Sequence, residues 1–165
     1  MEKSPTVFQS IYTSNYPKVM RLCLGHVNGD EAMAQELAQE TFIKVWENLS
    51  SFREEAQVAT WVYRITVNTC LLHFRRKKRE NTVELSQQLA QPEAEDHLTK
   101  QDQITQLYAC IDTLRSEQKS IILLELEGIP QKEIAEVMGL THEAVRVRIH
   151  RIKNALTNCV QHENI

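Results

Sequence analysis

Ile129–Ile152 reads IPQKEIAEVMGLTHEAVRVRIHRI, and its spacing decides the fold. Ile134, Val137, Met138 and Leu140 are apolar at helical intervals. Ala135 is small where a second helix has to cross closely. Gly139 falls where the first helix must stop and turn, because glycine carries no Cβ to oppose a positive φ. Thr141 can cap a second helix by accepting from the free amides of its first turn. Val145, Ile149, Ile152 and Leu156 then make one apolar stripe. Glu143, Val147, His150 and Asn154 lie opposite it, with Arg146, Arg151 and Lys153 on its flanks. Such a pattern is either a helix-turn-helix whose second helix enters a DNA major groove, or a plain helical hairpin with a solvated basic face.

Outward from that stretch the chain reads as helix throughout. Its 165 residues fit one compact domain or two small ones. A hydrophobic content of 42% and a charged content of 25% are ordinary for a soluble globular protein. With only four glycines and four prolines, the composition favours helices over sheets. The net charge of −3 does not exclude a nucleic-acid partner, because the cations are segregated. No apolar run is long enough to span a bilayer, and MEKSPTVFQS lacks a signal-peptide core, so a cytoplasmic protein without membrane insertion is expected. Cys23, Cys70, Cys110 and Cys159 are far apart with no CxxC pair. They read as buried small apolar residues in a reducing compartment, with a redox-sensing or zinc role as the alternative and no metal site expected.

A first helix is predicted over Thr6–His26, with Pro17 as a point of kinking or re-initiation. Val27–Asp30 is a turn, and Asp30 can cap a second helix over Glu31–Asn48. That helix is apolar along Met33, Leu37, Phe42, Val45 and Trp46. Its other face carries Gln35, Glu36, Gln39, Glu40 and Lys44, as a solvated face or a docking surface. A third helix, about Val58–Lys78, has two apolar stripes: Val58, Trp61, Ile65 and Leu72, then Tyr63, Val67, Cys70 and Phe74. A surface helix needs one stripe, so this helix is buried on both sides or keeps a stripe for a ligand. It ends in Arg75–Arg79, five adjacent cations that suit phosphates or a helix C-terminus. Residues 80–99 are acidic and poor in apolar residues, which predicts a flexible linker. Helices resume from Lys100, the run Ile121–Leu126 is apolar on most sides, and the polar tail after Asn158 is expected to fray. The expected architecture is all-α: residues 1–79 and 100–165 as two small helical domains joined by residues 80–99.

The constellation resembles a known family. Glu36-Leu37-Ala38-Gln39-Glu40-Thr41-Phe42, followed by Val45-Trp46, is similar to the sigma-two domain of bacterial sigma factors. Phe52-Arg53, then Ala59–Ile65 and Asn68, resembles the continuation of that domain. Leu123–Gly128, Glu133–Gly139 and Val145–Arg151 resemble the sigma-four domain. With nearly the whole chain covered except the linker, the sequence is identified as a member of the extracytoplasmic-function (ECF) group of the sigma-70 family.

The resemblance implies a transcription initiation factor that binds core RNA polymerase through its β′ and β subunits, recognises promoter DNA, and is held by an anti-sigma factor. By the same resemblance Gln35, Glu36, Gln39, Glu40 and Phe42 would dock on polymerase. The family's frequent Asp at position 36 is Glu here, which keeps the charge. Trp61, Tyr63, Arg64, Asn68, His73, Arg75 and Arg76 would hold the opened minus-ten element, which needs platforms for bases and cations for backbone. Trp61 shares a stripe with Ile65 and Leu72 and reads equally as core. On the recognition helix, Arg146 and His150 can donate to guanine, Glu143 can accept from cytosine, and Val147 can touch a thymine methyl. Thr141, Arg148, Arg151 and Lys153 suit phosphates of the minus-thirty-five element. Val147 replaces the family's usual small polar residue, so a different base preference is expected.

A stand-alone DNA-binding regulator would leave the Gln35–Phe42 motif and the basic third helix unexplained. An enzyme is not expected, since the chain has no Gly-rich phosphate loop and no metal-ligand spacing among its six histidines. No cofactor is implied.

Overall fold

A computed structural model describes residues 3–53, 55–81 and 99–162. Among the described residues seven α-helices follow in order: α1 Pro5–His26, α2 Glu31–Asn48, α3 Val58–Asn81, α4 Lys100–Asp112, α5 Ser116–Leu126, α6 Gln131–Met138 and α7 His142–His162. A short 3-10 turn, Leu49–Ser51, follows α2. The described residues form no strand. The linker predicted over 80–99 lies almost wholly outside the described residues.

Local chemistry sets the helix ends. The Ser4 hydroxyl caps α1 ahead of Pro5, accepting from the Val7 N–H at 3.3 Å. Asp30 caps α2, accepting from the Met33 N–H at 3.1 Å. Asn28 and Gly29, both at positive φ, make the turn between these helices. Thr99 and Asp102 form a reciprocal capping box at α4. Gly139 ends α6 at φ 66°, and the Leu140 N–H closes back on the Ala135 carbonyl at 2.9 Å. Thr141 accepts from the Ala144 N–H at 3.2 Å and starts α7.

Two apolar clusters hold the chain. In the first, α1, α2 and α3 pack Val19, Cys23, Leu37, Phe42, Val45, Val62 and Cys70 together. Beside it lies an aromatic group in which the Phe42 ring centre is 4.6 Å from Tyr12 and 6.4 Å from Phe8. The second cluster gathers Ile111, Ile121–Leu124, Ile134, Val137, Val145, Ile149, Ile152 and Leu156 from α4 to α7. The whole apolar stripe of the recognition helix is therefore buried.

Helix α3 uses two apolar sides, though not with all the expected members: Cys70 joins the side of Trp61 and Ile65, and Leu72 is exposed. Val58, Trp61, Val62, Ile65 and Cys70 belong to or pack on the first cluster. Tyr63 and Val67, with Leu22 from α1, belong to the second, and Ala59 and Leu71 pack against it. Both sides of α3 are used, one by each half of the chain. Gly25 shows how close that contact is: a Cβ there would stand 2.5 Å from Leu123 Cδ2.

Four expectations are corrected. Helix α1 continues through Pro17 without re-initiation, with Pro17 on the exposed face. Helix α3 continues to Asn81, beyond the basic run. Helix α7 continues to His162 rather than fraying after Asn158. The cysteines are not all reduced: Cys110 and Cys159 form a disulfide between α4 and α7, with Cα atoms 6.0 Å apart, whereas Cys23 and Cys70 are free and buried. Sequence spacing could not reveal the pair, because 49 residues separate its members and folding brings them together.

Candidate nucleic-acid and polymerase interface

The described residues present three surfaces. On α2, Gln35, Glu36 and Gln39 are exposed in a row. Glu40 is half-buried and pairs with Lys44 at 2.7 Å, and Lys44 also donates to Thr69 on α3 at 3.1 Å. Phe42 is only 3% exposed. Its ring sits in the aromatic group on α1, so it supports the helix and cannot itself touch a docked protein. Ile43, beside it and 57% exposed, is the apolar side chain this face offers. The sequence reading missed Ile43, although its departure from the apolar stripe of α2 was legible.

The minus-ten candidates divide sharply. Asn68, Arg75 and Arg76 are exposed, and His73 is half-buried with its ring edge-on to Phe74. Trp61 is half-buried, its ring centre 4.8 Å from that of Phe52, and it packs on the first cluster. Tyr63 is buried against the second cluster, and burial together with Glu133 and Glu127 pushes its phenol above the ordinary value against the pull of Arg21. Arg64 is exposed, but its Nη2 donates to the Glu136 carbonyl of α6 at 2.8 Å. Tyr63 and Arg64 thus belong to the contact between the two halves in this arrangement, not to an open surface.

That contact is polar at its rim. Arg21 grips Glu127 through Nε, 3.0 Å from both carboxylate oxygens, and through Nη2 at 2.9 Å. Thr60 donates to Glu133 at 3.3 Å. His26, buried at the end of α1, lies 3.3 Å from the Ser120 hydroxyl of α5. Burial, aided by the nearby Lys119, pushes the His26 imidazole down to about 3. Lys119 is itself buried and pairs with Asp112 at 2.5 Å.

On α7 the candidates face outward. Glu143, Arg146, Val147, Arg148, His150 and Arg151 are all exposed. Thr141 is exposed with its hydroxyl engaged in the cap. Lys153 is paired with Glu125 of α5 at 2.8 Å, which removes it from the freely offered cations. Arg148 and Arg151 line a cleft of about 540 Å³ together with Arg75 and Lys78 of α3 and Arg115 ahead of α5. Leu71 and Phe74 form part of its wall. Cations assigned separately to two DNA elements therefore share one hollow. Arg115 is a residue the sequence reading passed over, since it stands alone between helices.

Residues 11–80 match the family model for sigma-70 region 2, and residues 104–156 match that for sigma-70 region 4. The RNA polymerase sigma-H factor of Pseudomonas aeruginosa is 31% identical over 157 residues, spanning 87% of this chain and 81% of that protein. The chain belongs to the sigma-70 family of RNA polymerase sigma factors, in its ECF group. Sigma factor YlaC of Bacillus subtilis is 26% identical over 95% of this chain and 96% of its own length. Among solved structures, the sigma factor RpoE of Bartonella quintana in complex with the anti-sigma factor NepR superposes with a TM-score of 0.74 at 18% identity, over 93% of this chain and 96% of that one. CnrH in complex with the cytosolic domain of CnrY gives 0.70 at 20% identity, over 96% and 90%. The all-α fold is thus that of ECF sigma factors. No described helix is long and apolar enough to cross a membrane.

Proposed function

We propose that this sigma factor binds core RNA polymerase in the cytoplasm, directs it to promoters with minus-ten and minus-thirty-five elements, and is restrained by an anti-sigma factor. The observation that carries the proposal is the succession of region 2 and region 4 on one chain. Residues 1–79 would serve polymerase and the minus-ten element, residues 80–99 would link, and residues 100–165 would serve the minus-thirty-five element. Polymerase docking falls to Gln35, Glu36, Gln39 and Glu40, with Ile43 in place of Phe42. An exposed apolar residue ringed by polar ones suits a protein partner better than bare charge does.

For the minus-thirty-five element, Arg146 and His150 would donate to guanine acceptors, with Glu143 and Val147 reading neighbouring bases. Arg148 and Arg151 would sit on phosphates, and Thr141 would hold the helix N-terminus toward the backbone. For the minus-ten element, Asn68, His73, Arg75 and Arg76 are accessible as the halves stand, and Tyr63 and Arg64 would become so when the halves part. An anti-sigma partner is supported by the solved structure of RpoE, which is bound to the anti-sigma factor NepR.

Run-off transcription tests the proposal. Purified chain is mixed with core polymerase free of other sigma factors and with genomic DNA fragments. Discrete start sites that depend on the chain are the expected result. Absence of transcripts while a gel shift still detects sequence-specific DNA binding would overturn the polymerase role in favour of a stand-alone regulator. Arg146→Ala should cost about 1–3 kcal/mol at one base pair of the upstream element, read by competition among single-base promoter variants.

A further inference from the structure

The structure holds two cysteine pairs with opposite surroundings. Cys23 and Cys70 lie wholly inside the first cluster, each at 0% exposure. A hydrogen bond with Cys23, then burial, pushes the Cys70 thiol well up. A thiol kept protonated and out of reach of solvent is inert. Cys110 is buried as well, but its partner Cys159 is only half-buried, one turn from the described end of α7. This second pair thus has one residue partly open to solvent.

Helix α4 is weakly held without that pair. Of its thirteen residues only Cys110 and Ile111 are buried. Ile104 and Tyr108 are 47% and 40% exposed, and α7 is its main packing partner. The Cys110–Cys159 bond therefore lies at the main anchor of α4. It also closes a covalent loop around α5, α6, the Gly139 turn and most of α7, which is the whole helix-turn-helix. A cross-link of that span removes much of the freedom of the unfolded chain.

We infer that Cys110 and Cys159 are a reversible, peroxide-responsive thiol pair that fastens α4 to α7 and sets how durable the helix-turn-helix half is. The inference takes its compartment from the proposed function: a protein working beside RNA polymerase meets reduced thiols, where a disulfide is conditional rather than permanent. The Cys159 thiolate attacks one oxygen of hydrogen peroxide, the O–O bond breaks, and a sulfenic acid forms with release of hydroxide. The Cys110 thiol, uncovered while α4 is free in the reduced chain, loses its proton and attacks the Cys159 sulfur, the S–S bond forms, and a second hydroxide leaves. With the two thiol protons taken up, two thiols and one peroxide become one disulfide and two waters. A small dithiol reverses the step by exchange and is itself oxidised. Reduction frees α4, baring Leu107 of that helix and Val160 of α7, which pack on the second cluster in the closed pair.

The test uses the full chain, reduced with dithiothreitol or treated with one equivalent of hydrogen peroxide. Free thiols are alkylated and the digest is read by mass spectrometry. The expected result is a single cross-linked peptide joining Cys110 to Cys159, with Cys23 and Cys70 still thiols. Oxidation should raise Tm by about 10 °C or more and slow protease cleavage within α4. Cys159→Ser should fold, as judged by its circular dichroism, and show none of these responses. No cross-link in the folded wild type would overturn the inference. So would a cross-link that leaves both Tm and cleavage of α4 unchanged, or a Cys159→Ser protein that still responds. None of these readouts involves polymerase or DNA, so failure here and failure of run-off transcription are separate results.

Discussion

On α7 the side chains away from the apolar stripe stand in solvent: Glu143, Arg146, Val147 and His150 are exposed. On α3 the matching positions are spent within the molecule. Tyr63 is buried against the C-terminal half, and Arg64 donates to the α6 backbone. The two helices carry similar charge at their outer faces, yet one is open and the other half covered. The difference follows from apolar content. Helix α7 has one stripe, which its own half buries, whereas α3 has two, and its own half can bury only one. The second is left to whatever apolar surface comes nearest, which here is α5 and α6.

The largest expected effect breaks the open side. Ile134 of α6 is fully buried beneath the recognition helix. Ile134→Ala should destabilise the C-terminal half by about 2–5 kcal/mol through lost burial and a cavity. Thermal melts should show a lowered transition, and α7 should lose duplex binding with it.

The next breaks the covered side. Gly25→Val sets branched carbons against Leu123, which is itself buried. Overpacking of this kind costs about 1–3 kcal/mol and should push α1 and α5 apart. Chemical modification of Tyr63 should then rise, while the exposure of Arg146 stays as it is. Unaltered Tyr63 reactivity would count against close packing at Gly25.

Acid sharpens the same contact. His26 is held neutral inside the fold at a value of about 3, against an ordinary 6.5. Between those values the unfolded or parted chain binds a proton that the packed one does not, so stability is whole above pH 6.5 and falls as pH drops toward 3. At pH 5.5 the loss should be on the order of 1 kcal/mol, read as a lower urea midpoint than at pH 7.5. His26→Gln should flatten that slope.

Smallest of all is the rim. Arg21, half-exposed, pairs with Glu127. Glu127→Ala should cost no more than about 0.2–1 kcal/mol, less in salt. A larger loss would mean that the two halves are held by charge more than by the apolar contact.

Much of this was legible in the chain. The bounds of α2, its Asp30 cap, the Gly139 turn and the stripe Val145–Leu156 follow from local rules that need no tertiary information. The double stripe of α3 signalled burial on both sides without saying by what. What escaped the reading depends on distant contacts. Phe42 matches a docking motif, but its ring is taken by α1. Lys153 looks like a phosphate ligand until Glu125 folds against it. The Cys110–Cys159 bond joins helices whose proximity no spacing rule reports.

The packed contact of α3 with α5 and α6 also has a consequence of reach. On the proposed function the two halves must grip promoter elements some 25 base pairs apart, about 85 Å along duplex DNA at 3.4 Å per pair. Helix α3, at 24 residues, is only about 36 Å long. Halves seated on opposite sides of such a rod cannot straddle that interval. On that function the molecule as it stands is a stowed form, and a promoter can be measured off only once the halves part, to the length of the eighteen residues between α3 and α4, about 60 Å fully drawn out.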